Sequence, residues 1–305
     1  MWLFLAFMSA ALLGCYDSFK KEALRENAVI PVLFLNTLFS SLIFLPFIVF
    51  SAHTELLDGT VFHVASGGWE VHRYVLLKAL IVLSSWVLGY FGMKHLPLTI
   101  VGPINATRPV MVLVGALLVF GERLNVWQWV GVLLAVTSFL MLSRSGKKEG
   151  IDFRHDRWIW MIVGSAALGA VSGLYDKFLM APVESGCVGL DRMLVQSWYN
   201  IYQCFMMLLM LWLLWWPRHR ELTPFHWHWS IIGVSLFLST ADFMYFYSLS
   251  LPDAMISIVS MIRRGSVVVS FLFGAATFHE KNLKAKAVDL ALVLLGMVFL
   301  YIGSR

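Results

Sequence analysis

The sequence predicts an all-α membrane protein with ten transmembrane helices. Of its 305 residues, 59% are hydrophobic and only 13% are charged, whereas soluble domains carry about 25% charged residues. The mean hydropathy is +0.77. Apolar windows of about 18 residues or more recur along the whole chain, and a helix of that length crosses the roughly 30 Å of hydrocarbon in a bilayer. The alternating pattern that a transmembrane barrel requires is absent from the sequence, so a helical bundle is the predicted architecture.

The ten predicted spans are separated by mostly short, polar connections, and no segment remains that is long enough for a soluble domain. In chain order they are 2–24, 29–50, 74–92, 96–120, 126–143, 157–180, 193–216, 229–250, 253–278 and 286–303.

The first span contains LLGC at residues 12–15, which is typical of a bacterial lipoprotein cleavage site. A cleaved signal also needs a positively charged segment before its apolar stretch, and residues 1–7 contain neither Lys nor Arg. The sequence therefore favours an uncleaved first helix. Cys15, Cys187 and Cys204 have no CxxC or metal-like spacing, so no disulfide, metal site or other cofactor is predicted.

Lys and Arg are distributed unevenly over the connections between the spans. The odd-numbered connections hold twelve of the 23, the even-numbered connections and the tail hold five, and six lie inside spans. Lys78, near the start of the third span, is included with the second connection. Because cytoplasmic loops are enriched in Lys and Arg, this asymmetry predicts that the odd connections are cytoplasmic and that both termini lie outside.

The chain also carries an internal repeat. A shift of 159 residues places GCYDSF (14–19) over GLYDKF (173–178). A shift of 158 places the fifth span and the end of the fourth over the tenth span and the end of the ninth, and this pairs Glu122 with Glu280.

The repeat divides the sequence into two five-helix units, 1–150 and 151–305. Because five is an odd number, the second unit enters the membrane from the opposite side. This predicts an inverted-topology repeat with a substrate site at the interface between the two units.

Ten short helices arranged as five plus five, a Gly-centred polar break in the first and sixth spans, and FGE or FHE at the ends of the fourth and ninth spans resemble the drug/metabolite transporter superfamily, EamA branch. The resemblance covers essentially the whole chain. It implies a multi-pass, alternating-access carrier of small metabolites in the cell inner (plasma) membrane, with spans 1, 3, 4, 6, 8 and 9 around a central cavity. It also implies cytoplasmic termini, opposite to the distribution of Lys and Arg.

The partners implied are a small-molecule metabolite and the lipid bilayer, with protons or a counter-substrate as the coupling species, and no nucleic acid. The fifth and tenth spans then close the rim of the cavity or form the interface of a homodimer.

Charged side chains inside membrane helices cost about 2.5–3.5 kcal/mol each on insertion scales, so they are candidates for function. Arg108 in the fourth span and the adjacent Arg263 and Arg264 in the ninth are candidate substrate-binding cations, because a guanidinium matches carboxylate and phosphate groups. The two neighbours point about 100° apart. We therefore expect one of them to face the cavity and the other to pair with an acidic side chain, and the family resemblance implies Asp242 as the nearest candidate. The alternative is that every Arg inside the spans is held in a structural ion pair and does not contact the substrate.

Asp17 and Asp176 occupy corresponding positions in the two repeats, each after a stretch of small residues that permits close helix contact. With Lys21 and Lys177 they are candidate coupling or gating residues. Asp17 and Lys21 are spaced i, i+4 and can neutralise one another. The two aspartates either carry a coupling proton or form an ion-paired clasp that holds the first and sixth spans in register.

Asp242, Tyr16 and Tyr175 complete the candidate substrate-binding residues, the two tyrosines as wall residues of the cavity. The predicted function is secondary active transport of a small polar metabolite, anionic or zwitterionic, by alternating access. The alternatives are an exporter of amphipathic or aromatic compounds such as drugs or amino acids, a membrane-embedded enzyme and a non-transporting receptor. The sequence contains no DxxD, HExxH or GxSxG pattern, so no enzyme is predicted.

Overall fold

A computed structural model provides the fold, and the part of the chain that it describes contains helices and no strand. The described residues are 2–108, 110–112, 114–115, 125–127, 129–131, 133–134, 137, 141, 155–180, 183, 187–219, 223–250, 259, 262–263, 265–277 and 283–303.

The helices of this part of the chain are joined by short connections, apart from the segment between the second and third helices. In chain order they are α1 (Trp2–Ala23), α2 (Val29–His53), α3 (Trp69–His95), α4 (Leu98–Ala106), α5 (Arg157–Met180), α6 (Arg192–Met210), α7 (Ser230–Ser250), α8 (Ser266–Thr277) and α9 (Leu283–Gly303). α6 continues through a π turn (Leu211–Trp215) into a 3-10 turn (Trp216–Arg218).

Within the described residues, six helices are long and apolar enough to cross a membrane. They are α1, α2, α3, α5, α6 with its continuation to Arg218, and α7, and they coincide with predicted spans 1, 2, 3, 6, 7 and 8. The prediction of a helical, multi-pass membrane protein is thereby confirmed. α4, α8 and α9 lie at predicted spans 4, 9 and 10. The fifth predicted span falls largely outside the described residues, although every described residue between 126 and 141 is helical.

The start of α3 corrects one assignment made from the sequence. The helix begins at Trp69, five residues before the predicted start of the third span at 74. Lys78, near the start of the predicted span, therefore lies more than two turns inside the helix and is only 2% exposed.

Local sequence explains several helix boundaries. Pro97 separates α3 from α4 and stands at the N-cap of α4, because a proline has no backbone N–H to continue the preceding helix. Asp191 caps α6, where its carboxylate accepts a bond of 2.8 Å from the backbone N–H of Leu194. Such a cap satisfies a backbone donor that the first turn of a helix leaves unpaired.

The helices pack in pairs that join the two halves of the sequence. α1 lies along α7, α3 along α5, α2 along α6 and α4 along α8. α1 also contacts α8, and α4 also contacts α5. In the numbering of the predicted spans these pairs are 1 with 8, 3 with 6, 2 with 7 and 4 with 9.

A buried serine hydroxyl crosses each of the three long helix pairs to a backbone carbonyl of the partner helix. Ser9 of α1 donates to Ala241 of α7 at 2.7 Å, and Ser85 of α3 donates to Ser165 of α5 at 2.8 Å. Ser41 of α2 donates to the carbonyl of Asn200 in α6 at 2.9 Å. Because lipid gives helices no hydrophobic reason to associate, interhelical hydrogen bonds and small residues are the usual stabilising features in a membrane.

One glycine permits a very close helix contact. A Cβ atom built on Gly14 of α1 would lie 2.4 Å from the Cβ of Val269 in α8. This glycine belongs to the repeated GCYDSF segment, so the small residue predicted from the repeat lies at a helix interface.

Candidate functional site

A cavity of about 150 Å³ lies at the centre of the bundle and is lined by residues of α1, α3, α4, α5, α6, α7 and α8. Both halves of the sequence therefore contribute to it. Its charged lining residues are Asp17, Lys20, Lys78, Arg108, Asp176, Asp242 and Arg263.

The first ion pair of the cavity lies within α1. The ammonium group of Lys20 is 3.0 Å from a carboxylate oxygen of Asp17. Lys20 also donates to the hydroxyl of Tyr16 at 3.3 Å, and that hydroxyl lies 3.4 Å from the hydroxyl of Tyr90. The amide of Asn36 in α2 donates to Tyr90 at 3.1 Å. Lys20 thus joins a polar chain that runs from α1 through α3 to α2.

The second ion pair joins α3 to α5. Lys78 donates to the carboxylate of Asp176, and both side chains are more than nine-tenths buried. The ammonium group also lies over the rings of Tyr199 and Phe246, at 5.1 and 5.3 Å from their centroids. A buried charge requires a counter-charge, and in this pair each residue supplies it to the other.

The third ion pair joins α7 to the chain segment just before α8. Arg263 donates to one carboxylate oxygen of Asp242, and Tyr199 donates to the other at 2.9 Å. The guanidinium of Arg263 also lies 4.3 Å from the centroid of the Tyr245 ring. This is the pairing of Asp242 with an arginine of the ninth span that the sequence led us to expect. Arg264, the other candidate, lies outside the described residues.

Arg108 is bonded differently from the other cations of the cavity. Its Nη2 donates to the hydroxyl of Ser165 at 3.4 Å, and its buried Nε, like that of Arg263, has no hydrogen-bond partner. A Cβ built on Gly169 would lie 2.8 Å from the Cζ of Arg108, so the guanidinium rests directly on the backbone of α5. Among the residues that the structure describes, Arg108 is the lining cation that has no carboxylate within ion-pair distance.

Three other candidates lie away from the lining of the cavity. Tyr175 donates to the backbone carbonyl of Tyr74 at 3.3 Å. Lys21 donates to the carbonyls of Met93 and Leu96, each at 2.7 Å, and so binds the C-terminal end of α3. Lys177, which is half-buried, is not among the residues that line the cavity.

The two aspartates of the repeat both line the cavity, but they form no clasp between spans 1 and 6. Asp17 is paired with Lys20 of its own helix, and Asp176 is paired with Lys78 of α3. The reason is the order of packing, because α1 lies against α7 and α5 lies against α3. The ion-pair partner of Asp17 is thus Lys20, whereas the i, i+4 spacing in the sequence suggested Lys21.

Sequence reasoning missed Lys20, Lys78, Tyr90 and Tyr199 as residues of the site. One signal for Tyr90 is present in the sequence. A shift of 155 residues, which aligns the Leu-Pro pairs that open spans 4 and 9, also places Tyr90-Phe91 over Tyr245-Phe246. For metals, the described residues include no group of three or more His, Cys, Asp or Glu side chains that could bind an ion.

Comparison with known proteins agrees with this architecture. A crystal structure of another protein superposes with a TM-score of 0.66 at 11% sequence identity, covering 99% of this chain and 97% of that one. At such low identity the likeness establishes a shared fold alone. No curated protein matches the chain in sequence.

The family comparison is more specific. The model of the EamA-like transporter family matches residues 1–144, which include α1 to α4 with Asp17, Lys20, Lys78 and Arg108 of the cavity. The members of this family are membrane transporters, and the recognition made from the sequence is confirmed. Residues 1–144, slightly less than half of the chain, are therefore similar to the EamA-like transporter family, within the drug/metabolite transporter superfamily.

Proposed function

We propose that the protein is a secondary active transporter that moves a small polar metabolite, anionic or zwitterionic, across the membrane by alternating access. The observation that carries the proposal is a central cavity lined with charged side chains from both halves of the sequence. Charged side chains within membrane helices are costly and usually mark the path of a substrate or ion. A family of transporters matching the first 144 residues supports the same conclusion.

We further propose ten spans in two inverted five-helix repeats, residues 1–150 and 151–305. The packing of the described helices supports this arrangement. If spans 1 to 5 correspond to spans 6 to 10, exchanging the repeats converts the pair 1 with 8 into the pair 6 with 3, and both pairs occur. The same exchange maps the pairs 2 with 7 and 4 with 9 onto themselves. This is the pattern expected from a twofold axis that relates the two repeats.

The ion pairs are compatible with a cavity that opens alternately to the two sides of the membrane. A carrier keeps its buried charges compensated in every conformation, because an uncompensated charge in low dielectric is expensive. The Lys20–Asp17 pair lies within α1 and moves with that helix. The pairs Lys78–Asp176 and Arg263–Asp242 cross between elements and constrain relative movement.

Reconstitution into liposomes tests the proposal. We expect uptake of labelled anionic metabolites that saturates with concentration and is accelerated by unlabelled substrate inside, as counterflow requires. An imposed pH gradient distinguishes proton coupling from exchange, because an exchanger responds to internal substrate and ignores the gradient. Protein-free liposomes are the control, and a panel of metabolites that shows neither uptake nor counterflow would contradict the carrier mechanism.

Orientation in the cell inner membrane is tested separately. The loop charges predict that both termini lie outside, so alkaline phosphatase fused at residue 60 should be active and the same fusion at residue 148 inactive. The opposite result would place both termini in the cytoplasm, as the family resemblance implies.

Export of amphipathic or aromatic compounds is the second candidate, and the aromatic part of the lining favours it. Tyr16, Trp86, Tyr90, Tyr245 and Phe246 face the cavity alongside the charges. The liposome assay separates the candidates, because an exporter of this kind transports aromatic amines or neutral aromatic compounds as well as it transports small anions.

A further inference from the structure

We propose that the cavity binds a small organic monoanion, with Arg108 as the residue that holds its carboxylate. This inference deepens the proposed function, because it identifies the charge of the substrate and the group that binds it. Binding can be measured without transport, so the two proposals are tested separately.

The charges that line the cavity do not balance among the described residues. Four cations and three carboxylates line it among the described residues. The carboxylates of Asp17, Asp176 and Asp242 are each paired with a cation other than Arg108. One positive charge is therefore left in the lining, and a ligand with one negative charge balances it. A dianion would add a charge that lacks a partner, and the ammonium group of a zwitterion would have to displace one of the existing pairs.

The geometry around Arg108 bears on the ligand as well. The backbone at Gly169 supports the Cζ end of the guanidinium, and the hydroxyl of Ser165 is a distant acceptor at 3.4 Å. The buried Nε of Arg108 has no partner, although buried polar groups in proteins are nearly always hydrogen-bonded, and the Nε of Arg263 shares this feature while its Nη2 is held by Asp242. A carboxylate binds a guanidinium through two parallel N–H donors, and Nε with one terminal nitrogen forms such a pair.

Arg108 has a counterpart in the second half of the sequence. The shift of 155 residues that aligns the Leu-Pro pairs also places Arg108 over Arg263. Arg263 is held by Asp242, whereas no carboxylate of the described residues holds Arg108. The two repeats thus place an arginine at corresponding positions, and one of them is neutralised by the protein itself. This asymmetry assigns ligand binding to Arg108.

The size of the ligand follows from the cavity. About 150 Å³ is small beside the roughly 300–1,000 Å³ of pockets for drug-sized molecules. The aromatic side chains of Tyr16, Trp86 and Tyr90 supply an apolar wall for the body of the ligand. Short monocarboxylates are the class that fits this volume and this charge.

The test measures binding to the purified full-length protein as a rise in its thermal unfolding temperature. The probes are lactate and benzoate, with lactamide and benzamide as uncharged analogues and malate and phthalate as dianions. We expect at least one monocarboxylate to stabilise the protein, with a dissociation constant at least tenfold lower than those of its amide and its dianion. Equal stabilisation by amide or dianion, or none by either monocarboxylate, would overturn the proposal.

Four variants test whether Arg108 is the residue that binds the carboxylate. Arg108→Gln removes the charge, and Gly169→Ala displaces the guanidinium while keeping the charge, so each should weaken binding at least tenfold. Ser165→Asp places a carboxylate beside Arg108 and should also abolish binding. Ser165→Asn is the matched control, because it adds nearly the same volume without the charge and should bind at least tenfold more tightly than Ser165→Asp. Undiminished binding in Arg108→Gln would refute the assignment.

Transport of the same probe separates this inference from the proposed function. If the monocarboxylate binds through Arg108 but shows no counterflow in liposomes, the anion site stands and the carrier mechanism fails. If an anion is transported equally well by the wild type and by Arg108→Gln, the carrier mechanism stands and the role of Arg108 fails.

Discussion

The buried pair between Lys78 and Asp176 allows the sharpest test of the structure. Lys78 is 2% exposed and Asp176 is 6% exposed, so removal of either side chain leaves the other charge buried without its partner. Loss of one member of a buried pair typically costs 3–5 kcal/mol. We therefore expect Lys78→Met and Asp176→Leu each to lower the free energy of unfolding by about 4 kcal/mol, which is roughly a thousandfold change in the equilibrium.

The double variant Lys78→Met/Asp176→Leu should be much more stable than the sum of the single variants predicts. Two apolar side chains of similar size replace a buried ion pair at little cost, so the coupling free energy between the two sites should reach several kcal/mol. Denaturant titration in detergent, followed by circular dichroism, measures all four proteins of the cycle. Lys78→Arg keeps the charge and is the control. Single losses below about 1 kcal/mol, or additive losses in the double variant, would refute the assignment of this pair as a buried contact between α3 and α5.

Three further predictions follow from other contacts. Gly14→Ala should lower thermal stability by about 1–3 kcal/mol through overpacking against Val269, whereas Gly68→Ala, where a Cβ meets nothing within 4 Å, should have no such effect; equal melting temperatures would contradict the close contact. Lys21→Met removes two hydrogen bonds to the end of α3 and should cost about 1–3 kcal/mol in the same melting assay; an unchanged melting temperature would count against that contact. If transport in liposomes depends on pH, Asp17→Asn should abolish that dependence, and a retained pH dependence would exclude Asp17 as the coupling group.

Hydropathy was sufficient to find most of the spans, because a bilayer demands long apolar helices whatever their neighbours are. It was less accurate at the ends of helices. The segment WEVHR at residues 69–73 has the polarity of a loop, yet it forms the first turns of α3. That error hid Lys78, because a lysine at the edge of a span can reach water and one that lies more than two turns inside the helix cannot.

The partners of the charges were harder to predict than the charges themselves. Asp242 with an arginine of the ninth span was expected from the resemblance, and the pair with Arg263 is present. The partner of Asp176 depends on which helix lies beside α5, and the spacing of residues in the sequence carries no information on that neighbour. Asp17 precedes two nearby lysines on the same helix, and the direction of each around the helix decided which of them pairs with it. Lys20 lines the cavity, whereas Lys21 binds α3.

The serine hydroxyls that cross the long helix pairs bear on how the protein can move. Each bond ties a helix of the first half of the sequence to a helix of the second half, as Ser9 ties α1 to α7 and Ser85 ties α3 to α5. A motion that preserves these bonds carries α1 together with α7, and α3 together with α5. Any two bodies that slide past one another under this constraint are mixed pairs, and the boundary between them does not coincide with the boundary between the two proposed repeats.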